Sequence, residues 1–336
     1  MRLLSGNGSG NSIQSECAAR YKYTSKYNKE KGDLLIVIDK IIRYRFLYLL
    51  ISGAFIWTVI FCYLPMIGII MSFQDFNIFK GFWGSPFVGL EHFVTIFTDP
   101  MFLKAIGNTL WYSSLILVLG FPLPIILALM FNELRGKYFK RVVQTISYLP
   151  YFLSWISVVA LFYSFFEMSG PFNDLKVYLF GEGTERTNIL MDPDNFAGIL
   201  FGSHLWKNVG WSSVIFLAAI AGIDSQLYEA AVVDGASRWK QIVHITLPGI
   251  MPTAMIIFIL NSGGLVTANF EQVFGFQNLY TVEQTQVVNT LVYKLGVQQG
   301  NYSLATAFGL AQGIVSFLIV YIVNRVSRKV SSVSIW

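Results

Sequence analysis

Long apolar stretches separated by shorter polar ones set the pattern of this chain, and six of them stand out: Phe46 to Phe73, Ala105 to Asn132, Val142 to Phe166, Phe196 to Ile223, Ile245 to Phe270 and Leu295 to Asn324. A helix that crosses a bilayer needs about 20 mostly apolar residues, and each run is long enough. The first two carry no charge, and the fourth is interrupted only by Lys207. Pro65, Pro122 and Pro124 lie inside runs. Prolines are tolerated there when neighbouring helices satisfy the freed backbone groups, so they predict a packed bundle with bends at the paired prolines. The expected fold is all-α, a polytopic membrane protein with six transmembrane helices.

Composition strengthens this reading. The chain has 336 residues, of which 54% are hydrophobic and 13% charged, with a mean hydropathy of +0.55. Soluble chains carry about 25% charged residues. Residues 1–32 are rich in Ser, Gly, Asn, Lys and Tyr, have no apolar period, and read as a loosely held tail. They lack the apolar core and small-residue cleavage site of a secretory signal, so the first run is expected to remain as an anchor. The segment Asp33 to Arg45 mixes charge with apolar residues and is too short to span. It reads as a helix lying in the membrane interface or as an extension of the first span. The expected organisation is a tail over 1–45, a six-helix domain over 46–326 and a second tail over 327–336.

An even number of crossings puts both ends on one side. Of the 24 Lys and Arg residues, 18 fall in the two ends and in the connections 133–141 and 221–247, and six fall in the opposite stretches 74–104, 167–207 and 269–303, the second of which is counted through Lys207. Basic residues collect on the cytoplasmic face, which places both ends there. The net charge of +5 is therefore topology rather than a nucleic-acid footprint. The opposite connections hold eleven acidic residues, among them Asp174, Glu182, Glu185, Asp192 and Asp194, and read as solvated loops or as docking surface.

One cytoplasmic connection has a sequence of its own. It runs Glu229-Ala230-Ala231-Val232-Val233-Asp234-Gly235-Ala236-Ser237-Arg238 and ends at Leu247-Pro248. The pattern predicts a short helix with two adjacent alanines, a break at Gly235, a second short helix, and a Leu-Pro pair opening the next span. Small side chains let another surface approach closely.

This stretch resembles the EAA loop of ABC importer membrane subunits, carried by Glu229, Ala230, Ala231, Gly235, Leu247 and Pro248, with Asp234 and Ala236 completing the common core. Further segments look like the LplB-like, carbohydrate-uptake branch of that family. They include Gly120 to Leu129, Asn132 to Arg135, Phe139 to Pro150, Trp206 to Ser212, Phe270 to Gln272 and Gln299 to Tyr302. The resemblance implies a type I importer (MetI-like) transmembrane domain whose loop 226–248 forms a coupling helix docking into a separate ATPase subunit. It also implies a second homologous permease, two ATPase copies that bind ATP and Mg, an extracytoplasmic solute-binding protein, a carbohydrate substrate and a bacterial cell-membrane location. No cofactor is expected in this chain itself. In this picture Ala230 and Ala231 form a low contact face, and Glu229 and Asp234 reach amides or basic groups of the partner. Arg238 meets lipid headgroups or acidic groups.

Sugars are held by aromatic faces and paired hydrogen bonds, which makes Tyr151, Trp155, Trp206, Trp211 and Asn261 candidates for a substrate path; packing and interface anchoring are the other reading of the aromatics. A charge inside a span normally faces a cavity or a partner, so Lys207 is a further candidate. It is expected to bind a substrate oxygen or an acidic sugar, to pair with Glu167 or Glu271, or to snorkel to the interface.

Enzyme chemistry finds no footing. Arg135-Gly136-Lys137-Tyr138 lacks both the earlier glycine and the hydroxyl of a P-loop. His92, His204 and His244 are far apart, Cys17 and Cys62 have no ligand spacing, and no paired carboxylates suggest glycan hydrolysis. Two alternatives to an ATP-driven importer are an ion-gradient-driven secondary transporter, which calls for buried acids or an inverted repeat, and a membrane-embedded glycan enzyme.

Overall fold

The structure, a computed structural model, describes residues 43–331, 334 and 335. The expected tail over 1–32 and residues 33–42 of the Asp33 to Arg45 segment lie outside the described residues. The chain divides after Ile67 into two units.

The first unit contributes α1 (Arg45–Thr58), which passes through a wide turn at Val59–Tyr63 into a tighter one at Leu64–Phe73. Together they make an apolar helical segment of 29 residues, Arg45–Phe73.

In the second unit, α2 (Glu91–Thr98) precedes α3 (Pro100–Leu115) and α4 (Pro122–Glu133), which are joined by a wide turn at Ile116–Gly120. Asp99 Oδ1 accepts the Met101 amide at 2.7 Å, and Pro100 occupies a first-turn position whose amide would otherwise lack a partner. Pro122 and Pro124 fall in the first turn after the wide one, so the helix accommodates them and Pro100–Glu133 runs for 34 residues.

Next come α5 (Lys137–Tyr148), α6 (Trp155–Phe166), α7 (Pro171–Phe180), α8 (Phe196–Ala221), α9 (Ser225–Val233), α10 (Arg238–Gln241), α11 (Leu247–Ser262), α12 (Phe270–Phe276), α13 (Val288–Tyr293) and α14 (Tyr302–Ser331). Among the described residues there are helices and turns, and the single strand-like contact is a bridge between Gln74 and Phe87. Four helical segments are long and apolar enough to cross a membrane, and two bent pairs bring the number to six if each pair counts as one crossing.

Besides the second span, which starts at Pro100 rather than Ala105, three of the expected spans have different boundaries. The third run is broken: Lys137–Phe152 and Trp155–Phe180 meet at 102°. Pro150 lies in a short tight turn at Leu149–Phe152, Leu153 and Ser154 are extended, and Ser154 Oγ accepts the Ser157 amide to start a new helix. The fifth span begins earlier than Ile245, because α10, a wide turn at Ile242–Thr246 and α11 form one helix from Arg238 to Val266. The sixth begins at Tyr302 rather than Leu295. Gly300 takes a left-handed φ of +71°, Asn301 Oδ1 caps the Leu304 amide at 3.1 Å, and α14 then runs past the expected end of the helical domain to Ser331.

Three apolar clusters hold this unit together. Tyr112, Phe196, Val273 and Phe276 centre one; Phe102, Leu291 and Phe308 centre the second; Ala128, Phe216, Ile250 and Ala254 make the third. α8 lies along α4 and crosses α5, where Gly210 meets the chain so closely that a Cβ would stand 1.9 Å from the Ser147 carbonyl oxygen. Since backbone cannot retreat as a flexible side chain can, Gly210→Ala is expected to cost about 1–3 kcal/mol in overpacking. A clearly lowered melting temperature of the purified protein should report it. Gly202→Ala, on the same helix with open space at its Cβ position, should melt like the parent.

Candidate functional site

α8 ends at Ala221, and α9 leaves at 70° to the Pro193–Ala221 helix. Asp224 Oδ1 starts α9 by accepting the Gln226 amide at 2.9 Å. The end of α9 is a Schellman closure. Gly235 donates to the Val232 carbonyl at 3.0 Å, Ala236 donates to the Ala231 carbonyl at 2.8 Å, and Gly235 has a φ of +74°. The glycine of the motif is thus the residue that reverses the chain at low steric cost. Ser237 caps α10, Gln241 Nε2 donates to the Ala236 carbonyl at 3.0 Å, and the Tyr228 hydroxyl pairs with Thr246 Oγ1 at 3.0 Å. These bonds fix the two arms of an elbow.

Within the elbow, Glu229, Ala230, Asp234, Gly235, Arg238 and Pro248 are exposed, while Ala231, Ala236 and Leu247 are half-buried. The expected second short helix is not separate, because Arg238 begins the rod that ends at Val266. Pro248 interrupts nothing: it sits in the first turn after the wide turn at Ile242–Thr246. Among the described residues the one ion pair is Arg186 with Asp174 at 2.7 Å, so Glu229, Asp234, Arg238 and Lys240 have none. The elbow also exposes large apolar side chains that the motif did not single out: Val233 at 87%, Trp239 at 72%, and Leu227 and Val232. Their apolarity in a connection between spans was the available signal.

A cavity of about 460 Å³ opens between α3, α4, α8, α11 and α12. Of the expected path residues, Trp211 and Asn261 line it. Tyr151 stacks behind Trp211, with ring centroids 4.9 Å apart and planes at 10°. Trp155 is buried, and Trp206 packs its ring against Phe162. The cavity wall also carries His204, Asn208 and Ser212 of α8, Thr267 and Asn269 beyond α11, and Gln272 of α12. His204, Asn208 and Ser212 are spaced by four on an apolar helix, a polar stripe beyond the expected path residues whose signal in the sequence is that spacing. Asn208 Nδ2 lies 3.3 Å from His204 Nδ1, and Gln272 Nε2 is held by the Leu200 carbonyl at 2.7 Å and by Ser203 Oγ at 2.9 Å.

Lys207 departs from expectation. Its ammonium donates to the Tyr151 carbonyl at 2.7 Å and to the Leu153 carbonyl, and lies over the rings of Tyr151 and Trp155 at 5.4 and 5.5 Å. It makes no ion pair with Glu167 or Glu271, does not line the cavity, and at 6% exposure does not snorkel. The carbonyls freed where the third run breaks have captured it.

Residues 120–332 match the family model described as binding-protein-dependent transport system inner membrane component. The chain belongs to this family. It is 40% identical to the polygalacturonan/rhamnogalacturonan transport system permease protein YteP of Bacillus subtilis strain 168, over 90% of this chain and 93% of that protein. It is 38% identical to protein LplB of the same organism, over 85% and 90%. Its fold matches a chain in the crystal structure of a bacterial ABC transporter involved in import of the acidic polysaccharide alginate, with a TM-score of 0.81 and 38% identity over 88% of this chain and 99% of the other. The same match holds for that alginate transporter in complex with an alginate pentasaccharide-bound periplasmic protein. As a member of the binding-protein-dependent transport family, the chain is a membrane transport component and not an enzyme, with the MetI-like all-α fold expected from sequence. Neither the ion-gradient transporter nor the glycan enzyme is favoured.

Lys207→Met would strip the part-buried Tyr151 and Leu153 carbonyls of their ammonium donor, at a cost of about 1–3 kcal/mol. A lower melting temperature of the purified transporter is expected, whereas Trp206→Ala, at a half-exposed ring, should change it little.

Proposed function

We propose that this chain is one of two permease subunits of an ATP-driven importer for oligosaccharides or polysaccharide fragments, and that the elbow Ser225 to Pro248 is the docking site for its ATPase. The observation that carries the reading is the elbow itself: a rigidly capped turn that presents free charges at Glu229, Asp234 and Arg238 beside exposed Val233 and Trp239. Such a surface is incomplete alone and fits a protein cleft, with Ala230 and Ala231 keeping the contact low. The two ATPase copies would bind ATP and Mg, and their closure would press on the elbow. A second, homologous permease completes the pathway, and a solute-binding protein delivers cargo to the opposite face. Both chain ends and the elbow lie in the cytoplasm on this reading, in line with the distribution of Lys and Arg.

The cavity supports a carbohydrate cargo. Its polar atoms belong to hydroxyl, amide and imidazole groups, and the half-exposed face of Trp211 offers a stacking surface for a sugar ring. One relative is named for polygalacturonan/rhamnogalacturonan transport, and the transporter of like fold takes part in import of the acidic polysaccharide alginate, which supports an acidic polysaccharide fragment as cargo.

The docking role is tested by Gly235→Asp. A side chain at a left-handed φ strains the closure and adds a charge at the contact face. Normal membrane insertion with loss of ATPase copurification is expected; retention of the ATPase and of transport would refute the role. The cavity role is tested by Trp211→Ala, which should lower uptake of oligogalacturonate or alginate oligosaccharide through a rise in KM while ATPase copurification stays intact.

A further inference from the structure

The connection that follows Phe73 is not a slack loop. Asp75 donates to the Pro86 carbonyl at 3.0 Å and Val88 to that of Phe73 at 2.9 Å, while Gln74 Nε2 reaches the Phe82 carbonyl at 2.9 Å. Inside the turn, Asn77 donates to Ser85 Oγ at 3.0 Å, and Ser85 Oγ donates to the Gly81 carbonyl at 2.7 Å, with Gly81 at a φ of +66°. This framework displays Phe79 at 96% exposure and Trp83 at 101%, with the exposed Lys80 between them. Among the described residues Lys80 makes no ion pair.

The turn follows Phe73 in the chain. It is also tied to the start of the Tyr302–Lys329 segment, since Phe76 donates its amide to Ser303 Oγ at 2.8 Å and its ring meets Tyr302 edge-on at 6.3 Å. A rigid turn held against the mouth of a spanning helix lies at the boundary between hydrocarbon and water. Aromatic side chains and a lysine collect at that depth, the rings among the headgroups and acyl ends and the ammonium beside phosphates.

We propose that the turn 76–87 is a membrane anchor that seats Phe79 and Trp83 in the headgroup region of the leaflet opposite the coupling elbow, with Lys80 on lipid phosphate. The pairing of Ser85 and Asn77 holds the rings outward, so the anchor is built before lipid arrives. It also fixes the height of Tyr302, and with it the outer end of α14, against the bilayer.

The test uses the assembled transporter in phosphatidylcholine/phosphatidylglycerol nanodiscs, with Cys17→Ser and Cys62→Ser as background. Trp83→Cys carrying an environment-sensitive fluorophore should lose emission to nitroxide-bearing lipids and keep it against aqueous iodide. Phe79→Cys serves as the second position should the first fail to assemble, and Glu182→Cys, on another exposed connection, is the aqueous reference. Quenching by iodide and none by lipid nitroxide at both ring positions would overturn the anchor. So would shielding from both quenchers, which would mark instead a contact with the second permease or with the binding protein.

Discussion

A break in a membrane helix frees carbonyl groups in a place with little water, and the fold depends on how this chain answers them. At the break in the third run the answer is an ammonium group: Lys207 reaches the Tyr151 and Leu153 carbonyls from α8. That reach requires α8 to lie almost on the backbone of α5, and Gly210, one turn from Lys207, is what permits it. The stacked pair of Tyr151 and Trp211 at the cavity wall follows from the same contact.

Other breaks are answered by amides. Where the fifth span ends, Gln312 Nε2 donates to the Val266 carbonyl at 2.5 Å and to Asn289 Oδ1 at 3.0 Å, while Asn289 Nδ2 donates to the Ala268 carbonyl at 2.8 Å. Asn173 serves the Glu167 and Thr187 carbonyls, and Asn278 serves that of Leu190. Polar side chains in this apolar chain are therefore mostly fasteners. Asn261 and Ser212, which line the cavity, sit where a helix is unbroken.

This division explains what could be read from the sequence. Apolar length and charge asymmetry are properties of single segments, so the six runs and the elbow were visible, and the Schellman closure at Gly235 was foreshadowed by the glycine. The break at Leu153 was masked because apolar residues continue through it; Pro150 and Ser154 were the only local signs. The sixth run was likewise extended backwards across Gly300, since Leu295 and Val297 keep the stretch apolar. Lys207 could not be assigned from sequence at all. Its partners are backbone atoms more than fifty positions away, which leave no trace in residue type. The cavity was half legible: Trp211 and Asn261 were named, and the stripe of His204, Asn208 and Ser212 was not.

The continuity of the fifth span with the elbow has a mechanical consequence. Arg238 and Asn261 stand on one unbroken rod, and 29 residues at ~1.5 Å each make it about 43 Å long. Pivoted near its centre, such a rod needs to tilt by only ~10° to sweep each tip through about 4 Å, roughly the width of a water molecule plus its van der Waals gap. On the proposed docking at the elbow, a shove on Trp239 would reach the cavity wall as leverage along this helix.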